Sequence, residues 1–197
     1  MNLDEGAVGR LLSMEEVIPA MERALADFSS GKVVQPVRTM LPVTEHGGFL
    51  GLMPAYTGSA LGAKLVAFYP RNTEVATHHA TILLFRPETG ETLVTMDGRL
   101  ITEVRTAAVS AVATKHLARS DASVLAILGS GVQARSHLEA LRLVRDFRQV
   151  RVWSPRRAAA FAEEHGVVAV TSAEEAVQGA DVVVTATTSP TPVLSGD

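Results

Sequence analysis

Two groups of residues in this chain have types and spacings that could do chemistry. The first is Val124-Leu125-Ala126-Ile127-Leu128 running into Gly129-Ser130-Gly131-Val132-Gln133-Ala134 and then into a helical pattern. An apolar strand, a Gly-x-Gly-x-x-Ala turn and a helix are how a βαβ unit grips the pyrophosphate of a dinucleotide. Gly129 permits the tight turn, Gly131 lets the backbone approach the phosphates, and Ala134 keeps the helix close to the strand. The N–H groups that open the helix then face the anion. The next strand reads as Gln149–Trp153, and Ser154-Pro155-Arg156-Arg157 follows it. An NAD site places Asp or Glu there to accept from the ribose 2′-OH. Here a hydroxyl and two guanidinium groups stand in that place, and arginine forks onto phosphate without losing its charge. The local chemistry favours NADPH over NADH or NAD. The alternative is that Arg156 and Arg157 are solvated charges opening a helix.

The second group is three cations in apolar or irregular settings: Arg38 after Pro36-Val37, Lys64 within Gly62-Ala63-Lys64-Leu65-Val66, and Arg105 within Thr102-Glu103-Val104-Arg105-Thr106. An ammonium among strand residues is costly unless partnered. A cation in the first turn of a helix opposes the helix dipole, and a bound carboxylate or phosphate would relieve it. Together they point to a pocket for a small carboxylated ligand. Each also reads as an outward-facing charge, with Arg105 pairing Glu103 or Glu45. His78 and His79 are adjacent, so on a strand they face opposite sides. No carboxylate sits at ligand spacing beside them, and no metal site is expected. Trp153 and the scattered methionines read as core.

The elements that must position these groups change character along the chain. Ser13-Met14-Glu15-Glu16 is a capping box, and Val17, Met21, Ala24, Leu25 and Phe28 recur on one helical face up to Gly31. Short β-rich runs follow over 33–43, 49–53, 63–69, 81–85 and 92–96, separated by glycine and proline turns, as in a mostly antiparallel sheet. Thr102 can cap a long helix to about Ala118. From Ser120 strands and helices alternate: strand 124–128, helix 132–145, strand 150–153, helix 156–165, strand 167–170, helix 173–178 with Ser172 and Glu175 as a capping box, strand 181–186. This is the first half of a doubly wound parallel sheet. The expected division is an α+β domain over 1–118 and a dinucleotide-binding domain over 119–197. The latter reads as incomplete, because such sheets usually continue past the fourth strand.

With 197 residues, 47% of them hydrophobic and 20% charged, the chain reads as globular. A net charge of −3 argues against nucleic-acid binding, and the lack of cysteine excludes thiol chemistry and disulfides. The N-terminus lacks the basic and apolar regions of a signal peptide, and no apolar run reaches the ~20 residues of a membrane span. The expectation is a cytoplasmic protein that binds neither nucleic acid nor membrane.

Gln35-Pro36-Val37-Arg38-Thr39, Gly51-Leu52-Met53-Pro54-Ala55-Tyr56, Lys64-Leu65-Val66-Ala67-Phe68-Tyr69, Met96-Asp97-Gly98 and Arg105-Thr106-Ala107-Ala108-Val109-Ser110-Ala111, with the glycine turn, resemble the ornithine cyclodeaminase/μ-crystallin family, in order along the chain. The likeness is greatest to its NADPH-dependent ketimine reductase branch. The resemblance implies a homodimer, each subunit with an N-terminal substrate-binding and dimerisation domain and a Rossmann domain. It implies that Arg38, Lys64 and Arg105 hold the carboxylate of a small imine or amino-acid substrate. Thr77, His78, Arg105 and Thr106 would lie near the cofactor, Ser130, Val132 and Gln133 at its pyrophosphate, Ser154, Pro155 and Arg156 around the 2′-phosphate, and Thr187 and Thr188 at its other half. The family continues for roughly a further hundred residues, and in the cyclodeaminase branch these supply a catalytic aspartate. Competing readings are an ornithine cyclodeaminase with bound NAD, an alanine-type dehydrogenase, and a non-catalytic protein that binds NADPH or another ligand.

Overall fold

The computed structural model describes residues 1–195. They form two compact units, Met1–Ser13 with Ala20–Thr102, and Met14–Pro19 with the chain from Glu103 onward.

The first unit is built on a sheet. β1 (Asn2–Leu3) leads into α1 (Glu5–Gly9), where the Asp4 carboxylate accepts from the Ala7 N–H at 2.8 Å. After α2 (Met14–Ser29) come β2 (Thr39–Val43), β3 (Gly48–Tyr56), β4 (Leu61–Phe68), β5 (His78–Phe85) and β6 (Thr92–Asp97). β2 to β6 pair antiparallel in chain order and β1 joins β6 in parallel, giving β1-β6-β5-β4-β3-β2. The expected run over 33–43 is strand only from Thr39. Before it Val34 makes a single bridge to Tyr56, and Pro36 lacks the N–H that a continuous ladder needs.

Register sorts the side chains by face. Met53 pairs Lys64, Lys64 pairs Ile82, and Ile82 pairs Met96, so these residues form one row across the sheet. Buried Val66, Ala80 and Val94 share their face. The opposite face carries Leu41, Leu50, Leu52, Leu65 and Leu83, and of these Leu41 is 56% and Leu52 38% exposed. That face is apolar and largely uncovered within the chain. The expected apolar side of α2 is also less covered than its periodicity implies. Met14 and Ile18 are buried, whereas Leu25 and Phe28 are exposed. Ser13 occupies the N-cap position with extended backbone but makes no side-chain capping bond.

α3 (Arg99–Leu117) begins three residues before the expected cap. The Arg99 N–H donates to Asp97 Oδ1 at 2.8 Å, and Thr102 lies inside the helix with its hydroxyl donating to the Gly98 carbonyl at 2.6 Å. Arg105 therefore falls in the second turn. Helix-end charge fades within the first turn, so the expected conflict with the dipole does not arise. The two units divide within α3, between Thr102 and Glu103, rather than at its end near 118. The later turns bury Ala107, Ala108 and Ala111 in the second unit.

The second unit contains β7 (Val124–Leu128), α4 (Val132–Arg142), β8 (Gln149–Trp153), α5 (Ala158–His165), β9 (Val168–Ala169), α6 (Ala173–Val177) and β10 (Val182–Thr185). All four strands are parallel, in the order β10-β7-β8-β9. The order reverses between β7 and β10, which is the switch point of a Rossmann half-sheet. β7 is central, and Leu125 to Leu128 are fully buried, as a strand covered on both faces requires. Burying a Leu or Ile side chain contributes about 1.5–3 kcal/mol, so this strand anchors the unit. At the start of the sheet, Asp181 accepts from the N–H groups of Ser123 (2.8 Å) and Val124 (2.9 Å) and from Arg119. Those two N–H bonds, Ser123 first, and then the charges of Arg119 and Arg148, hold its carboxyl below the usual carboxylate range. The Ser172 cap forms as expected, its hydroxyl accepting from the Glu175 N–H at 3.0 Å.

Candidate functional site

At the C-terminal ends of β7, β8 and β10 a cavity of about 490 Å³ opens. Its walls include Gly129, Ser130 and Gly131 from the turn after β7, Ser154, Pro155, Arg156 and Arg157 after β8, and Thr187 and Thr188 after β10. Nine of the residues that the sequence assigns to a cofactor thus meet at one switch point. Among the described residues no Asp or Glu lines the cavity. Arg156 and Arg157 are exposed, as a pair awaiting an anion would be.

The two glycines of the turn act differently. Gly129 has φ +124°, a conformation open to few residues other than glycine. A Cβ there would collide with the Ala186 carbonyl oxygen, and the backbone is locked in place by Gly129 N–H to Trp153 O and Ala186 N–H to Leu128 O, both 2.8 Å. Gly131 is the N-cap of α4 at φ −91°, and a Cβ on it would meet nothing within 4 Å. Gly129 therefore serves the packing of the turn, and Gly131 keeps the mouth of the helix open. The Ser130 and Ser154 hydroxyls lie 2.9 Å apart, and Ser154 Oγ accepts from the Arg157 N–H at 3.1 Å, which draws the two loops together.

Val132 and Gln133 open α4 and do not line this cavity. The Gln133 side-chain oxygen is buried with no hydrogen-bond donor among the described residues. Sequence reasoning missed part of the wall: Trp153, read as core, lines the cavity while packing against the cluster of Ala126, Leu128, Ala173 and Ala176. Trp153 directly precedes Ser154, and that adjacency was the available signal.

Of the cations, Lys64 is half-buried in the row between Met53 and Ile82. Exposed Arg38 immediately precedes β2, whose pairing with β3 starts at Thr39 opposite Leu52. Arg105 and Thr106 are half-buried on α3. Glu103, a suggested partner of Arg105, accepts from Arg135 and Ser136. Thr77 is exposed and His78 half-buried at the start of β5. Burial, then the charges of Lys64, His79 and Arg99, lowers the His78 pKa, with Asp97 opposing. Among the described residues no three His, Asp or Glu side chains are placed to hold a metal ion, and no helix is long and apolar enough to cross a membrane.

Comparison with known proteins agrees with this geometry. Residues 1–197 match the ornithine cyclodeaminase/mu-crystallin family, and the chain belongs to that family. It is 48% identical over 193 residues to the ketimine reductase mu-crystallin of Macropus fuliginosus, an alignment covering 92% of this chain and 62% of the relative. It is 38% identical over 198 residues to a Δ1-pyrroline-2-carboxylate reductase of Bacillus cereus, covering 94% of this chain and 61% of that protein. The structure of Thermococcus litoralis Δ1-pyrroline-2-carboxylate reductase in complex with NADH and L-proline superposes with a TM-score of 0.90 at 39% identity, over 98% of this chain and 64% of that one. The chain thus spans under two thirds of the length of these relatives.

Proposed function

We propose that this chain carries the cofactor site and the carboxylate-binding cations of an NADPH-dependent reductase of small ketimine carboxylates. The observation that carries the reading is the switch-point cavity, which ends on Ser154, Arg156 and Arg157 and has no carboxylate among the described residues of its wall. A 2′-phosphate would meet two guanidinium groups there, where NAD-selective sites present an acid. The residues fit the cofactor in one further respect: the space beside Gly131 is free for a pyrophosphate.

Ser130, Val132 and Gln133 would hold the pyrophosphate, and Thr187 and Thr188 the far half of the molecule. Thr77, His78, Arg105 and Thr106 are further proposed contacts. NADPH, when bound, supplies hydride for the imine carbon. The chain's own residues then have separable tasks. Arg38, just before β2, and Lys64, on β4, receive the substrate carboxylate, and Arg105 adds a third positive charge. Fixing the carboxylate fixes the imine carbon relative to it, which is the orientation that catalysis needs. The imine nitrogen requires a proton, and the Lys64 ammonium is the acid we assign to it. The activities named for these relatives, reduction of ketimines and of Δ1-pyrroline-2-carboxylate, support this substrate class. We further propose a homodimer formed through the uncovered leucine face of the first unit.

Titration with NADPH and with NADH, followed by Δ1-piperideine-2-carboxylate, tests the reading. NADPH-selective binding with imine-dependent oxidation is expected. Equal turnover with both cofactors would refute the selectivity, and release of ammonia from ornithine without added reductant would point to a cyclodeaminase. Cofactor binding without turnover on any imine would leave a binding protein.

A further inference from the structure

Two buried ionisable side chains, Glu103 and His137, have no task in the chemistry above. Glu103 is 5% exposed, and its Oε1 accepts from Ser136 Oγ at 2.6 Å and from Arg135 Nη2 at 3.0 Å. His137 is 7% exposed. Its Nδ1 lies 2.7 Å from the Gln133 carbonyl and its Nε2 3.0 Å from Ser110 Oγ. A carbonyl only accepts, so Nδ1 donates, and in the neutral ring Nε2 accepts from the Ser110 hydroxyl. Glu103 and Ser110 belong to α3, and Arg135, Ser136 and His137 to α4. Positions 103, 107, 110 and 114 share one face of a helix. On that face Ala107 is fully buried, and the Thr114 carbonyl accepts from Arg145 at 3.5 Å. Polar contacts from Glu103 and Ser110 therefore form a seam that ties α3 to the helix that the glycine turn opens.

A buried carboxylate is a poor way to gain stability, because an apolar residue of similar volume packs without the desolvation penalty. What the seam supplies is a single rotation and height for α3. Arg105 lies two residues beyond Glu103, about 200° round the helix, and so on the side away from the seam. Turning α3 would displace Arg105 while leaving Ser154, Arg156 and Arg157 where they are. We propose that Glu103 is a positioning residue for cofactor binding, setting Arg105 and Thr106 relative to the glycine turn through Arg135 and Ser136. The inference rests on the NADPH reading above. Arg105 and Thr106 do not line the switch-point cavity. Any contact they make therefore falls on parts of NADPH beyond its 2′-phosphoadenosine end.

That separation provides the test. NADPH and 2′,5′-ADP are titrated by calorimetry into the full chain and into Glu103→Gln and Glu103→Ala, with the thermal midpoint of each recorded. The 2′,5′-ADP fragment reports the switch-point cavity alone. Glu103→Ala is expected to weaken NADPH about tenfold and 2′,5′-ADP by less than about twofold. Glu103→Gln keeps an acceptor for Ser136 and should stay within about threefold of the parent for both ligands. Should Glu103→Ala not fold, Ser136→Ala removes one bond of the same seam and is expected to weaken NADPH alone. Equal weakening of both ligands, or of neither in a folded variant, overturns the proposal and leaves Glu103 a purely structural group. Failure of the parent chain to bind either ligand overturns the NADPH reading itself, and this inference with it.

Discussion

Alanine at Gly131 and alanine at Gly129 should fail in opposite ways, although only one residue separates them. At Gly131 a Cβ meets no protein atom within 4 Å, and φ −91° suits any residue. Replacing Gly by Ala at a compatible angle contributes about 0.4–1 kcal/mol by restricting the unfolded chain. Alanine is a poorer N-cap than glycine by a similar amount, roughly 0.5–1 kcal/mol. The two effects offset, so the melting temperature should stay within about 2 °C. The new methyl group would occupy the space proposed for the pyrophosphate. Overpacking of that kind costs about 1–3 kcal/mol, a loss of about tenfold to a hundredfold in NADPH affinity. At Gly129 the methyl group meets the Ala186 carbonyl oxygen, at φ +124°. Backbone strain of about 1–3 kcal/mol and a collision of similar size add to roughly 2–6 kcal/mol. That is a large share of a typical folding free energy of about 5–15 kcal/mol. Trp153 is the only tryptophan and lines the cavity, so energy transfer from its emission to the dihydronicotinamide reports binding, and circular dichroism reports melting. A Gly131→Ala protein that folds and binds NADPH as tightly as the parent would refute the assignment of the cofactor to this cavity.

Four further outcomes are expected. Replacing Arg156 and Arg157 together by Ala should cost NADPH about a hundredfold, at roughly 1.4 kcal/mol for each charge-assisted contact, and leave NADH affinity unchanged; parallel losses for both cofactors would contradict a 2′-phosphate role. Lys64→Met should lower kcat by about 10²–10⁴-fold, whereas Arg38→Met should act mainly on KM for the imine, and steady-state kinetics with saturating NADPH separates the two. Leu52→Asp, on the uncovered sheet face, should halve the mass measured by light scattering with the circular dichroism spectrum retained; an unchanged mass excludes that face from a dimer. The lowered pKa of Asp181 means that the folded state binds fewer protons there than the unfolded chain. Its stabilisation is thus present above the ordinary carboxylate range and lost as pH falls through its folded value. Urea midpoints of the parent should exceed those of Asp181→Asn near neutrality and converge with them as pH falls through the lowered folded value of Asp181.

The parallel unit was largely legible because its strands are buried on both faces. A run such as Val124–Leu128 has no competing reading when turn residues bound it, and the alternation with helices then dictates a parallel sheet. The antiparallel unit was harder to bound. Its strands present one covered and one uncovered apolar face, so Leu50, Leu52 and Leu65 blur the alternation that marks strand ends. β1, with two residues, carries no periodicity at all. The start of α3 was misplaced for a local reason. Thr102 is a good N-cap by type, but Asp97 already bonds the Arg99 N–H, and the Thr102 hydroxyl turns back onto Gly98. Ser13 fails as a cap in the same sense: residue type proposes a bond that side-chain geometry need not make.

The candidate site divides along the same physical line. Backbone-dictated parts were readable, because a glycine turn between a buried strand and a helix has few structural solutions, and the residues after β8 must then face its opening. The seam between α3 and α4 was not readable. In the sequence Glu103 looked like a partner for Arg105, two residues away, but that spacing puts them on opposite sides of a helix. Glu103 also accepts from residues more than thirty positions on, in α4. Polar contacts of that kind leave no periodic trace, because a buried Glu among small and polar residues such as Ala107, Ser110 and Thr114 reads as an exposed one. The parts of this chain that bind through the backbone can therefore be assigned from sequence. Those that bind through the exact placement of a helix require the fold, and Glu103→Ala is the substitution at which the two kinds of information make different predictions.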